Sequence, residues 1–157
     1  MEPHRGCRHS HSCVRTLHRK AHGGAAIMTR HQNGSRPSLA EITQLPFVKS
    51  SFSGGQGSCV GIKRFGPWTI VGKHELGEAS PTLAFPSADW DEFCARIAQG
   101  EKTSFGEVTA AFTPEGGFTL TEATNPQAPI IVYDKAEWDA FQLGAQAGEL
   151  RSATPTN

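Results

Sequence analysis

The stretch "SADWDEFCARIAQGE" at residues 87 to 101 returns 48 positions later as "KAEWDAFQLGAQAGE" at residues 135 to 149. Ala88, Trp90, Asp91, Phe93, Gly100 and Glu101 recur as Ala136, Trp138, Asp139, Phe141, Gly148 and Glu149, and upstream Pro81, Leu83 and Phe85 correspond to Pro129, Ile131 and Tyr133. At the same offset Val60 falls on Val108 and Ile70 on Phe118. One register held across so many positions is the mark of a tandem duplication, and it restricts the chain to folds built from two copies of a small unit.

Each copy reads as three short strands and a helix. The first has "CVGIKRF" (59 to 65), a Gly66-Pro67 turn, "WTIVGK" (68 to 73) and "TLAF" (82 to 85); the second has "GEVTAAF" (106 to 112), "FTLTEA" (118 to 123) and "PIIVY" (129 to 133). Phe118, Leu120 and Glu122 alternate with Thr119 and Thr121, the period of a half-buried strand, and Gly and Pro at the joints indicate hairpins. Trp90, Phe93, Cys94 and Ile97 follow the spacing of one helix face. Asp89, Asp91 and Glu92 suit the positive end of its dipole, and Gly100 marks its stop. Asp134 with Glu137 predicts a capping box on the second helix, and Gly148 closes it. Gly144 inside that helix should cost about 1 kcal/mol relative to alanine.

The expected fold is α+β: two repeated antiparallel β-β-β-α units packed as one pseudo-symmetric domain, a pseudo-dimer within one chain. Residues 38 to 101 form the first unit and 102 to 150 the second, with Trp90, Phe93, Ile97, Trp138 and Phe141 in the core. A unit of about 50 residues hides too little surface to be stable alone, so the two should bury their aromatic faces against each other. Residues 1 to 37 and 151 to 157 are expected as disordered tails.

Residues 1 to 27 carry Arg5, Arg8, Arg15, Arg19 and Lys20 against Glu2, a charge of plus four, and five of the seven histidines. Residues 28 to 157 hold ten basic and fourteen acidic side chains, or minus four, so the folded part lacks the basic surface of a nucleic-acid binder. Within the tail "CRHSHSC" places Cys7, His9, His11 and Cys13 at alternate positions, a set of zinc-type donors without the two separated ligand pairs of a structural zinc site. The alternatives are a solvated tail and a start at Met28. Direct nucleic-acid or metal binding through this basic tail is the alternative functional reading, and phosphate contacts made by it would depend steeply on salt. The longest apolar run near the N-terminus, Ala25 to Met28, is too short for a signal peptide, and no stretch reaches the roughly 18 apolar residues of a membrane span, so a cytoplasmic location is expected.

Residues 47 to 59, "FVKSSFSGGQGSC", occur in the first copy only. They lack the lysine of a phosphate-binding loop, the full spacing of a dinucleotide fingerprint and the nucleophile elbow, and no cofactor is expected. Their serines read as satisfying the local backbone, with Lys49, Ser50, Ser51, Ser53, Gly54 and Gly55 as a candidate partner-binding loop. Acid-base chemistry would have to draw on His74, Glu75, Asp89, Asp91 and Glu92, which sit on expected loops or a first helical turn; the helix dipole accounts for the acids and surface placement for His74. Cys59 and Cys94, on a strand and a helix face, have the placement of inert buried thiols.

"FVKSSFSGGQGSCVGI", followed by an apolar strand and "LAFPSADWDEFCARIAQGE", resembles the actinobacterial family called domain of unknown function 397. That family's pattern runs from an aromatic, a basic residue and Ser-Ser through a Ser-Gly turn to Cys-Val, here Cys59-Val60, and ends in a Trp-x-x-Phe helix with Gly-Glu. The second copy, "TEATNPQAPIIVYDKAEWDAFQLGAQAGEL", is similar to the family's latter half and lacks the Lys-Ser-Ser opening. The resemblance spans residues 47 to 150. It implies a small non-enzymatic regulatory protein that acts as the protein partner of a helix-turn-helix transcriptional regulator.

Overall fold

The computed structural model describes residues 34 to 53 and 59 to 152. Met1–Gly34 and Ser35–Asn157 divide as separate units, and the helices and strands among the described residues belong to the second. It opens with a single helical turn, α1 (Leu39–Thr43), where Ser38 and Glu41 form a capping box, and with a two-residue strand, β1 (Val48–Lys49). Then come β2 (Val60–Phe65), β3 (Trp68–Lys73), a 3-10 segment (His74–Ala79), β4 (Leu83–Pro86) and α2 (Ser87–Ala98). The second half has β5 (Val108–Phe112), β6 (Phe118–Glu122), β7 (Ile131–Tyr133) and α3 (Lys135–Gln146). The fold is α+β, with antiparallel sheets ordered β1-β2-β3-β4 and β5-β6-β7. Among the described residues no helix is long and apolar enough to cross a membrane.

The helix ends follow from local chemistry. At α3 the Asp134 carboxylate accepts from Glu137 N at 2.8 Å and the Glu137 carboxylate accepts from Asp134 N at 2.6 Å, which satisfies two of the free donors of its first turn. Gly100 and Gly148, beyond the ends of α2 and α3, have φ of 88° and 76°, a left-handed conformation that only glycine adopts without strain.

One hydrophobic cluster runs through both halves: Val60, Val71, Leu83 and Phe85 of the first sheet, Val108, Phe118, Leu120 and Ile131 of the second, and the inner faces of α2 and α3. Its centre is aromatic. Phe141 of α3 lies with its ring centre 5.8 Å from Trp90 and 6.0 Å from Phe93 on α2, and 5.5 Å from Phe118 on β6. Trp90, Phe93, Ile97 and Phe141 are fully buried and Trp138 nearly so.

The gap-free offset through the middle strand needs correction. Thr69 stands opposite Phe85, and Phe118 stands opposite Tyr133. Since Phe85 and Tyr133 correspond in the repeat, the positional counterpart of Phe118 is Thr69 and not Ile70, so the offset grows by one at this strand. The Gly66-Pro67 turn of the first hairpin is one residue shorter than its counterpart, where Thr113 N bonds Gly117 O across Pro114 to Gly116. A one-residue slip reverses every side chain of a strand, so Ile70 joins a second, smaller cluster with Ile42 and Ala84 while Phe118 enters the shared core.

The expected tail boundaries also move. Pro37 is buried and Arg36 is paired with Glu122, so ordered contacts begin before residue 38. At the other end Ser152 N donates to Asp91 at 2.9 Å.

A candidate binding cleft beside the serine segment

In the segment from Leu45 to Ser53 the small side chain of Ser50 permits a close approach to α3. Ser50, with 3% of its surface exposed, rests on α3 at Gly144, where an added Cβ would stand 2.6 Å from Ser50 Oγ. Its hydroxyl accepts from Phe52 N at 3.2 Å, the local backbone bond expected of serine here. Ser51 donates through N at 2.9 Å and Oγ at 2.5 Å to the Glu149 carboxylate. Those two bonds hold Glu149 below the usual carboxylate range. Of the candidate partner-binding residues, Ser50 is therefore buried against Gly144. Lys49 and Ser53 are half-buried and Ser51 is exposed but bonded, while Gly54 and Gly55 lie outside the described residues.

Across from this segment the chain end is tied down by Trp90. Its indole Nε1 donates to Leu150 O at 2.8 Å, and Arg64 donates to the same carbonyl at 2.9 Å while also reaching Thr69 Oγ1 and Asp91. Leu150 is fully buried. Between the two walls opens a cleft of about 530 Å³, with Leu45, Pro46, Val48 and Ile62 supplying apolar surface and Arg64, Glu149 and Arg151 supplying charge. Val48 is 57% exposed at its mouth. An apolar floor with a few fixed polar groups is the general form of a binding site.

The acidic candidates Glu75, Asp89 and Glu92 each have a different partner. Asp89 accepts from Glu107 N at 2.9 Å, Glu92 pairs with Arg96 at 3.1 Å along α2, and Glu75 accepts from Cys59 N at 3.2 Å. His74 donates its backbone N–H to Cys59 O. Cys59 and Cys94 are buried, and burial, with Asp91 nearby, pushes the Cys94 thiol far up, which denies it the thiolate form of a nucleophile. Cys7, His9, His11 and Cys13 lie outside the described residues, and among those described no group of three or more His, Cys, Asp or Glu side chains is placed to hold a metal ion.

Two buried carboxylates have partners distant in the chain that the sequence reading did not give. Glu137 is 1% exposed and accepts from Lys73 at 3.2 Å; burial outweighs that bond and the cap, and its carboxyl is raised. Beside it Tyr133 donates its hydroxyl to Gly72 O at 2.9 Å. Glu122 accepts from Arg36 Nη1 and Nη2 at 2.7 and 2.6 Å, from Ala84 N at 2.8 Å and from Asn125 at 3.1 Å. Burial raises its carboxyl, but the Arg36 bonds together with the other donors outweigh it, and the net effect is downward. The alternation on β6 already placed Glu122 inward; its arginine, far back in the chain, had no local signal.

No family model, no curated protein and no solved structure matches the chain. The likeness to the domain of unknown function 397 family therefore rests on the motifs of residues 47 to 150.

Proposed function

We propose that the chain is a non-enzymatic interaction module that receives a segment of a helix-turn-helix transcriptional regulator in the cleft beside β1. The observation that carries this reading is the open apolar mouth at Val48, Leu45 and Pro46, set next to the Lys-Ser-Ser segment on which the family likeness rests. An exposed apolar strip at the mouth of a cleft suits a protein contact. The excess of acid over base outside residues 1 to 27 would speed encounter with a basic DNA-binding partner.

The same proposal treats the two β-β-β-α halves as a pseudo-symmetric pair descended from one unit. Its support is positional: α2 (Ser87–Ala98) and α3 (Lys135–Gln146) both have 12 residues and start 48 apart, and they meet across the shared core. β1 and the serine segment belong to the first half alone, since the counterpart of β1 falls within α2.

Affinity purification of the tagged full-length protein from its native host, with mass spectrometry, tests the function. A helix-turn-helix protein should co-purify, and Val48→Asp should lower its recovery about tenfold while leaving the melting temperature unchanged, because Val48 is exposed. Absence of any such protein, or equal recovery with Val48→Asp, overturns the reading.

A further inference from the structure

The second hydrophobic cluster lies on the face of the four-stranded sheet that points away from the shared core: Ile42, Ile70 and Ala84, with Trp68 packed against them. What covers this face is the segment from Ser35 to Phe47. Its only regular structure is the five-residue α1, far too short to persist by itself, so contacts with the sheet must hold it in place. Three are visible. The Phe47 ring seats over Gly61 and Gly72, where a Cβ on either would come to 2.8 Å from it. Lys63 donates to Ile42 O at 2.8 Å and lies 4.3 Å from the centre of the Phe47 ring. Arg36 grips Glu122 of the other sheet with two bonds.

We propose that residues 35 to 47 form a releasable strap, latched by Arg36 to Glu122, that swings off the outer face of the first sheet and uncovers Trp68, Ile70 and Ala84 while the shared core stays intact. Three features favour a separate opening. The strap places one large buried aliphatic side chain, Ile42, in a cluster that shares no residue with the main core. Neither end of the latch is stranded when it parts: Glu122 keeps its bonds from Ala84 N and Asn125, and the Arg36 side chain is already 45% exposed. The strap itself also makes no ladder with the sheet before β1 begins at Val48. Segments with few buried contacts open at lower free energy than the core they cover.

Native-state amide hydrogen exchange on the full-length protein tests this. In the wild type the amides of Ile42 and Leu45, which bond Ser38 O and Ile42 O, should exchange through a lower opening than Trp138 N on Asp134 O or the amides of β6. Glu122→Gln should speed the strap amides about tenfold, the scale of a lost charged hydrogen bond, and the core amides by no more than that factor, since both openings start from the same latched state. Arg36→Met, which leaves the Ala84 and Asn125 bonds in place, should do the same and decides the matter if Glu122→Gln fails to fold. Strap and core amides exchanging at one common rate, or strap amides unmoved in Arg36→Met, would overturn the proposal.

Discussion

Gly144 separates two opposite expectations for one residue. Judged as a position inside a helix, it should gain about 1 kcal/mol on replacement by alanine. Judged by its neighbours, the new methyl would meet Ser50 Oγ at 2.6 Å and Ser50 Cβ at 2.7 Å, atoms too close to the backbone to swing aside. Overpacking of this kind costs about 1 to 3 kcal/mol, so urea denaturation should show Gly144→Ala destabilised. The helix, its cap and its closing glycine were legible from residues 134 to 148; the reason for Gly144 was not, because Ser50 is 94 positions away in the chain. Glu122 makes the same point with charge. Its folded-state carboxyl is held below its ordinary value, so the stability it contributes is present above the unfolded-state value and is lost as pH falls through the folded one. The melting-temperature gap between wild type and Glu122→Gln should be widest near neutrality and close as pH drops below about 4. Glu137, raised by burial, has the opposite sign, and comparing the two proteins at each pH cancels it.

Among the elements, the segment from Glu149 to Ser152 is the one whose structural weight composition conceals. Leu150 is buried, its carbonyl takes bonds from Trp90 and Arg64, Glu149 anchors Ser51, and Ser152 reaches Asp91. Truncation after Gly148 should therefore lower stability by about 3 kcal/mol or more, read as a fall in the urea midpoint. It should also loosen the cleft, since one wall goes with it. For α3 the cap is separable: Asp134→Ala should cost about 1 kcal/mol. Six of the seven strands were legible from short apolar runs to within two residues at either end, while β1 was read as loop. The one-residue change of register between the two halves was not legible, because an apolar residue suits either face of a sheet buried on both sides, and Ile70 satisfies its spacing whether it faces the core or α1.

The two halves close on one another as a whole through the rings of Trp90, Phe93, Phe118 and Phe141. Residues 102 to 157 expressed alone should give far-ultraviolet circular dichroism and proton chemical-shift dispersion typical of an unfolded chain, because Phe141 would lose its α2 partners to water. A folded, soluble fragment would mean that the halves are independent. Periodicity, caps and the echo of residues 87 to 101 in 135 to 149 were enough to determine an α+β chain with two aromatic-faced helices and several short strands, since these depend on neighbours within a turn or a hairpin. Only the tertiary structure decided which face Ile70 takes, that Ser50 packs on Gly144, that Arg36 finds Glu122, and where the apolar cleft opens. Each of these is a contact between residues far apart in the chain, selected by shape and burial in the assembled fold, and local spacing carries no record of it.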